Sequence, residues 1–422
     1  MFNKKYLFLL SAVLVIALLL FVTGCPPGEE PVEEELTVEH TIVALLGLTG
    51  ALSGSAETAS VSMKLAEADI NAWLQENERE WRLKLVIEDE ANDPTTALRK
   101  MTTWFGEGVK IFAGPQTSGS SREMLAFANA NEILFVSQSA TSPALALPGD
   151  FLYRFVAADD VQGPAIAAML QEAGIKHVIF TWRGDTWGDG LHTATTTSIE
   201  KVGGIEIFEQ ELRYDPALEA FSVQAALMDD YVTELVNAGA ALEEIGIVAF
   251  TFEEISPYME AASEYPQLRQ VKWFGSDGNA KTHPLVESQL AAPFAFDSRF
   301  IAPAIKVDAE APGYIHVKNQ VQAELGRVTD VYALKAYDVI WALAMAIDEA
   351  GYDSVKVKEI LPRVAEEWSA VYGASGKVVL NEAGDRAFAD YDYWLVNEDL
   401  EWEAVSYYDY ETNEIIWIRE IY

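Results

Sequence analysis

The chain has 422 residues and carries 66 acidic against 29 basic side chains, which gives a formal net charge of −37. A surface this acidic repels nucleic acid and anionic lipid head groups, so we expect neither as a partner. The single cysteine, Cys25, leaves none for a disulfide or a cysteine metal site. We interpret the acid excess as an aid to solubility or an adaptation to habitat rather than as a binding function.

Residues 1–24 have the composition of a signal peptide. Lys4 and Lys5 supply a positive start, residues 6–22 are nearly all apolar, and small residues precede Cys25. This pattern resembles the signal peptide of a lipoprotein, in which Cys25 becomes the acylated first residue of the mature chain. The alternative is an uncleaved membrane anchor, because the apolar run approaches the ~18 residues of a spanning helix. Both interpretations place the rest of the chain outside the cytoplasm.

Residues 25–39 are predicted to be the lipidated cysteine followed by an acidic tether. The stretch PPGEEPVEEELTVE holds six glutamates and three prolines, and such a composition cannot bury enough apolar surface to order itself. We therefore expect the fold to begin near His40. From there to residue 422 the chain is long enough for two lobes of ordinary domain size.

Beyond His40, short apolar strands alternate with amphipathic helices. In the first part of the chain, strands are predicted at 41–46, 83–87, 109–113 and 133–136, and helices over 61–72, from a capped start at 92–94 and over 120–130. This regular alternation predicts a parallel sheet covered by helices on both faces.

The same alternation begins again further on and predicts a second sheet. Its strands are expected at 177–182, 205–210, 245–250 and 271–274, with helices near 160–173, 187–202, 219–238 and 255–264. Later helices are expected near 313–325, 331–350 and 354–369, a strand at 376–380, and antiparallel strands at 391–396 and 401–408. The predicted fold class is α/β, with two doubly wound parallel-sheet lobes.

Loops that follow the predicted strands divide into two chemical types. Those of the first sheet, at 48–56, 114–119 and 137–143, are small and hydroxyl-rich, whereas those of the second, at 183–188, 251–254 and 275–279, add an indole, a phenyl ring and a carboxylate. Ligands of such sheets bind beyond the carboxyl ends of the strands, and this division suits a small zwitterion. Helix capping explains each hydroxyl-rich loop singly, but less well why three loops share the pattern.

Several motifs, taken in chain order, resemble those of the periplasmic branched-chain amino-acid binding proteins of ABC transporters, which take leucine, isoleucine and valine. They are TGALSGSAE, AGPQTSG, SQSATSP, the segment 153–164, WGDG at 187–190 and FGSDG. Their order and spacing over residues 41–350 carry the resemblance. It implies the type I periplasmic binding protein fold, whose lobes are joined by three crossover strands and close on ligand. The implied lobes are 40–156 with 303–375, and 157–302 with 376–422.

The resemblance also implies a set of ligand-binding residues. They are Ser118, Ser139, Ala140, Thr141, Trp187, Phe252 and Asp277. The first four would hold a carboxylate, the two aromatic residues would cover the ligand, and Asp277 would pair with its ammonium group. This chain departs from the leucine-binding members at Ser55, where they have an aromatic residue, and at Asp277, where they usually have Glu. Amides, urea and carboxylates are therefore alternative ligands, and Arg122 and Arg183 are either contacts for an acidic ligand or solvated helix-terminal residues.

No motif indicates an enzyme. The five histidines lack paired metal spacing, and the chain has no G-x-S-x-G elbow, P-loop or dinucleotide loop. We expect no catalysis, no cofactor and no metal. The predicted function is that of a monomeric, extracytoplasmic solute-binding lipoprotein, anchored by Cys25, that delivers an amino acid or close analogue to the permease subunits of an ABC importer. A ligand-sensing lobe for a membrane signalling partner is the alternative.

Overall fold

The computed structural model describes residues 38–210 and 212–419. The predicted signal peptide, the lipidation of Cys25 and nearly all of the acidic tether lie outside the described residues. Within the described part, no helix has the length and apolarity needed to cross a membrane. The first strand begins at Val38, slightly before the predicted start of the fold.

The first sheet contains β1 (Val38–Leu46), β2 (Trp81–Asp89), β3 (Ile111–Ala113), β4 (Leu134–Ser137) and β5 (Leu152–Arg154). Their order across the sheet is β2–β1–β3–β4–β5. The pairs β1–β3, β3–β4 and β4–β5 are parallel, as the alternation of strands and helices predicted. The intervening helices are α1 (Ser53–Glu76), α2 (Pro94–Gly106) and α3 (Ser118–Asn131).

Strand β1 shows why helices cover both faces of this sheet. Its residues Val43 and Leu45 pack with α2 and α3, whereas Ile42, Ala44 and Leu46 pack with α1. All five side chains are fully buried. Because successive side chains of a strand point to opposite faces, only a strand covered on both sides buries an unbroken apolar run.

The second sheet contains β6 (His177–Arg183), β7 (Glu206–Ile207), β8 (Leu212–Tyr214), β9 (Ile245–Phe250), β10 (Lys272–Phe274), β11 (Ile301–Ile305), β12 (Tyr391–Val396), β13 (Trp402–Asp409) and β14 (Glu414–Trp417). The order is β14–β13–β12–β11–β10–β9–β6–β7, with β8 also paired to β6. Strands β6 to β11 pair in parallel, and β12 to β14 add an antiparallel edge. The predicted parallel sheet and the antiparallel strands after residue 390 are confirmed.

The remaining helices are α4 (Asp159–Glu172), α5 (Thr186–Val202), α6 (Ser222–Asn237), α7 (Ile255–Ala262), α8 (His283–Glu287), α9 (Ala291–Asp297), α10 (Tyr314–Leu325), α11 (Val331–Ala350) and α12 (Ser354–Tyr372). Residues of α10, α11 and α12 belong to the core that also covers the first sheet. The chain therefore passes between the two sheets three times, through 155–158, 306–313 and 373–390. The exact lobe boundaries stay a prediction.

Helix starts follow the capping residues seen in the sequence. The Asp93 carboxylate accepts a hydrogen bond from the Thr96 N–H at 2.7 Å, and Pro94 occupies the first turn of α2. Proline fits there because the first helical N–H groups have no partner within the helix. The predicted start of this helix is confirmed.

The strand predicted at 376–380 is wrong. That segment makes one isolated bridge, at Leu380. Gly376 has a φ of 82°, a left-handed conformation that breaks an extended strand. The N–H of Val378 donates to the Ser369 hydroxyl at 2.8 Å instead of to a neighbouring strand. Strands β5, β8 and β14 were not predicted, because short strands carry little periodic signal.

Candidate functional site

A cavity of about 730 Å³ lies where the loops of the two sheets face one another. It is lined by residues that follow β3, β4, β6, β9 and β10, together with the start of α11. Six of the seven predicted ligand-binding residues line it: Ser118, Ser139, Thr141, Trp187, Phe252 and Asp277. The seventh, Ala140, points into the core of the first sheet. The side chain of Ala140 therefore contributes packing, and only its backbone belongs to the loop at the cavity.

The hydroxyl groups after β4 partly hold their own loop in place. Ser137 Oγ accepts a hydrogen bond from the Ala140 N–H at 3.0 Å, and Ser118 Oγ accepts one from the Ser142 N–H at 3.1 Å. Thr141 differs, since its buried Oγ1 makes no well-oriented hydrogen bond among the described residues. Small polar residues here shape the loop and leave the hydroxyl of Thr141, a residue that lines the cavity, without a well-oriented partner among the described residues.

Arg154, at the end of β5, supports this loop from beneath. It is fully buried, and its Nη1 donates to the carbonyls of Ala140 at 3.0 Å and Ser142 at 2.9 Å. Its Nε and Nη2 donate to the two carboxylate oxygens of Asp385 at 2.5 and 2.6 Å. A bidentate pair of this kind fixes both partners in orientation. Sequence reasoning missed this role because Asp385 lies 231 residues away.

An aromatic wall faces the loop from the second sheet. Trp187, in the first turn of α5, stacks on Phe252 with ring centroids 4.5 Å apart. The Asp185 carboxylate caps α5 and accepts a hydrogen bond from the Trp187 N–H at 3.0 Å, which places the indole. The two rings predicted to cover the ligand thus form one surface.

Arg183 belongs to the fold rather than to the cavity. Its guanidinium lies 4.2 Å from the Phe252 ring centroid and is paired with Asp185 and Glu254. Since only 6% of the residue is exposed, it is neither a solvated surface arginine nor a free contact for an acidic ligand. Its role is to hold Phe252 in place.

One end of the cavity, formed by Asp277 and Thr141 and called the polar end below, holds buried hydrogen-bond acceptors. Asp277 Oδ2 accepts a hydrogen bond from the Tyr332 hydroxyl at 2.5 Å, whereas Oδ1 has no partner among the described residues. Behind it, Gln162 accepts from the Asp277 N–H and donates to Asp159 Oδ1, each at 3.0 Å. Asp159 Oδ2 is also buried, and it lies beside the Thr141 hydroxyl without a well-oriented hydrogen bond among the described residues. Sequence reasoning missed Asp159 and Tyr332, although Asp159 lies in one of the motifs that carried the resemblance.

The electrostatics of the Asp277 and Asp159 carboxylates favour the binding of a cation. Burial raises the pKa of Asp277, and burial together with the charge of Asp277 raises the pKa of Asp159 well above its usual value. The nearby Lys335 offers little compensation, because burial lowers its pKa well below the usual range. A positively charged group with several N–H donors would satisfy the open oxygens and stabilise the ionised carboxylates.

Glu90, beneath the same loops, gives a test of pH dependence. It is fully buried, accepts a hydrogen bond from Ser120 Oγ at 2.8 Å, and has a pKa raised by burial from 4.5 to about 7. Unfolding at neutral pH releases a proton that the native state retains, so stability should fall as pH rises from about 4.5 to about 7. At about 1.4 kcal/mol for each pH unit between the two values, the loss is at most roughly 3.5 kcal/mol.

We therefore expect Glu90→Gln to be more stable than the wild type at pH 8. Near pH 4.5 the difference in free energy of unfolding between the two should be small. Urea unfolding at several pH values measures this. Glu107→Gln, at an exposed position, should leave the pH profile unchanged. Equal stability of Glu90→Gln and wild type across this range would contradict the raised pKa of Glu90.

Among residues 38–210 and 212–419, no group of three or more His, Cys, Asp or Glu side chains is arranged to hold a metal ion. Two doubly wound sheets, three crossings and a cavity at the carboxyl ends of the strands define the fold as that of the type I periplasmic binding proteins. Residues 58–399 match the family described as the receptor family ligand binding region, and the chain belongs to that family.

Known proteins resemble the chain over most of its length. An uncharacterised protein of Methanocaldococcus jannaschii, MJ1266, is 28% identical over 416 residues, which cover 94% of this chain and 97% of that protein. The Leu/Ile/Val-binding protein BraC3 of Rhizobium johnstonii is 22% identical over 325 residues, 76% of this chain and 81% of that protein. The leucine-binding protein LivK of Thermotoga maritima superposes with a TM-score of 0.72 at 18% identity, covering 90% of this chain and 99% of the other. The last likeness shows the fold.

Proposed function

We propose that the protein is the extracytoplasmic solute-binding component of an ABC importer, that it binds an amino acid or a close analogue in the cavity, and that it delivers this ligand to a membrane permease. Anchoring through a lipidated Cys25 is part of the proposal. The observation that carries it is the pair of open, buried acceptors, Asp277 Oδ1 and Thr141 Oγ1, on the wall of a cavity between two sheets.

These acceptors suit the ammonium group of an amino acid. An ammonium has three donors, and Thr141 and Asp277 present two open oxygens to it from opposite sheets. On the side of the first sheet, Ser118 and the backbone of residues 139–141 are the proposed partners of the carboxylate, and the Thr141 side chain is proposed to contact the ammonium group. Trp187 and Phe252 are proposed to cover the ligand from the side of the second sheet. The relatives named for leucine, isoleucine and valine support this ligand class.

Contacts between the two sheets support binding by closure. Ser142 Oγ donates to the Thr186 carbonyl at 2.8 Å, and a Cβ at Gly190 would lie only 2.5 Å from Ser142 Oγ. Gly190 therefore permits a close approach of α5 to the loop after β4. A ligand drives such closure only by binding the closed form more tightly, so the residues contributed by the second sheet should control the switch.

Thermal unfolding against a ligand panel tests the proposal. The panel holds the twenty amino acids, small amides, urea and short carboxylates, with the N-acetyl and methyl-ester derivatives of any amino acid that binds. We expect a higher Tm with one or a few amino acids, because a native-state ligand at about 100 times its Kd stabilises by about 2.7 kcal/mol. Both derivatives should lose the effect, since each removes one charged group.

Other outcomes would contradict the proposal in separate ways. Shifts with amides or carboxylates alone would show that Asp277 does not bind an ammonium group, although the binding role would stand. No shift with any member of the panel would favour a different role for the cavity, such as sensing through a membrane partner.

A further inference from the structure

The cavity extends beyond the polar end to residues to which no role has been assigned. Lys281 ends the turn that follows β10, Asp392 and Trp394 lie on β12, and Trp402 begins β13, and all four line the cavity. Asp392 and Trp394 project from one face of β12, because they are two residues apart in a strand. We refer to these four residues as the distal end.

The distal end is separated from the polar end by the order of the strands. Asp277 and Lys281 both follow β10, but the Lys281 ammonium extends to within 4.4 Å of the Trp394 ring centroid on β12, the second strand beyond β10 in the sheet. Neighbouring strands lie about 4.8 Å apart, so β10 and β12 are separated by about 10 Å. A ligand that contacts both ends must therefore be longer than an aliphatic amino acid such as leucine.

Lys281 and Asp392 are the charged groups of the distal end, and neither has a direct hydrogen bond or salt bridge among the described residues. The Lys281 ammonium lies 4.4 Å from the Trp394 ring centroid, and the charged groups that act on it do so without a direct hydrogen bond. The nearest carboxylates are Asp330 and Asp392. Asp330 already accepts from Thr58 Oγ1 at 2.6 Å and caps α11. Burial lowers the pKa of Lys281, so an anionic group beside it would restore its charge.

The charges around Lys281 are shared with a second lysine. Asp392 lies between two lysines, Lys281 and Lys306, both of which lower its pKa against the larger effect of burial. Lys281 thus shares Asp392 with Lys306, and the carboxylates of Asp390 and Asp409 lie near the same charges. Trp402 Nε1 donates to the Thr282 carbonyl at 3.0 Å, which fixes the indole beside the turn that carries Lys281. The aromatic rings supply an apolar surface for the part of a ligand that connects its two ends.

We propose that the distal end is a subsite in which Lys281 binds an anionic group at the far end of the ligand, so that the preferred ligands are α-amino acids with an extended side chain ending in a carboxylate. This inference rests on the proposed function, because the polar end must hold the α-amino acid group. Lys281 is then a specificity-determining residue that makes no contact with ligands such as leucine.

A series of ligands of increasing length tests the subsite with the full chain. The series is aspartate, glutamate, 2-aminoadipate, 2-aminopimelate and 2-aminosuberate, each compared by calorimetry with the α-amino monocarboxylate of equal main-chain length. We expect the longer dicarboxylates to bind at least tenfold more tightly than their monocarboxylate counterparts. Lys281→Met should remove this difference, whereas Lys306→Met, which removes a lysine outside the cavity lining, should retain it.

The outcomes distinguish the subsite from the proposed function. If dicarboxylates of every length bind no more tightly than monocarboxylates, or if Lys281→Met weakens both classes equally, the subsite is wrong and the proposed function stands. If no α-amino acid binds, the proposed function itself fails. The Tm without ligand checks the folding of Lys281→Met, and Lys281→Gln, which keeps a polar side chain, provides a second variant for the same comparison.

Discussion

Asp277→Asn is expected to lower the affinity for the amino acid that binds most tightly in the ligand panel by at least about 30-fold. Removing one partner of a buried charge pair commonly costs about 2–5 kcal/mol, and each 1.4 kcal/mol is about tenfold in Kd. Asp277 is 8% exposed, and its Oδ1 has no partner among the described residues, so an ammonium group would bind there in a desolvated position. Asparagine keeps the shape and removes the charge.

Calorimetric titration measures this loss, and the Tm without ligand separates it from a folding defect. Because burial raises the pKa of Asp277, the neutral amide should leave the ligand-free Tm unchanged or higher. Asp160→Asn, on the exposed neighbour of Asp159 in α4, removes an equal charge and should bind like the wild type. Wild-type affinity in Asp277→Asn would show that this carboxylate is not the partner of an ammonium group.

Asp385→Leu is expected to destabilise the protein by about 3–5 kcal/mol, the range for leaving one partner of a buried ion pair uncompensated. Arg154 and Asp385 are 0% and 1% exposed, and Arg154 also donates to the carbonyls of Ala140 and Ser142. The unpaired guanidinium would remain in the core. The same substitution should weaken ligand binding, because Arg154 orients the loop at the cavity.

Urea unfolding of Asp385→Leu, of Arg154→Met and of the double variant measures how much of the lost stability comes from the unpaired charge. Arg154→Met combined with Asp385→Leu should recover much of the stability lost in Asp385→Leu, since an apolar pair replaces a buried ion pair at little cost. The exposed pair Arg363 and Glu367 is the control, and its removal should leave the urea midpoint unchanged. A loss in Asp385→Leu no larger than in this control would contradict a structural role for the buried pair.

The alternation of apolar runs and amphipathic segments was sufficient to predict most of the fold. Strands such as β1 and β9 and helices such as α5 and α11 lie where their local patterns placed them. Local signals were insufficient where partners are remote. The segment 375–380 has strand-like composition, yet the N–H groups of Ser375 and Val378 donate to side chains of α11 and α12 instead of a neighbouring strand.

Part of the site was also predictable from the positions of the strands. Loops after parallel strands meet at one edge of a sheet, so residues in these loops could be predicted to share a cavity. Those that do are Ser118, Thr141, Trp187, Phe252 and Asp277. Ala140 has the same small size as its neighbours, but its side chain lies in the core of the first sheet. Whether a small residue faces the cavity or the core depends on the local backbone, which composition does not specify.

The sequence by itself determined the class of fold, the two sheets and the edge at which the cavity forms, because strand and helix periods are local properties of the chain. Only the tertiary structure decided which polar groups pair and which remain open. The Arg154–Asp385 pair spans 231 residues and the Tyr332–Asp277 pair 55, and Gln162 reaches Asp277 across 115. Contacts between such remote residues leave no periodic trace, since they depend on how the two sheets face each other and on which side chains lose water there.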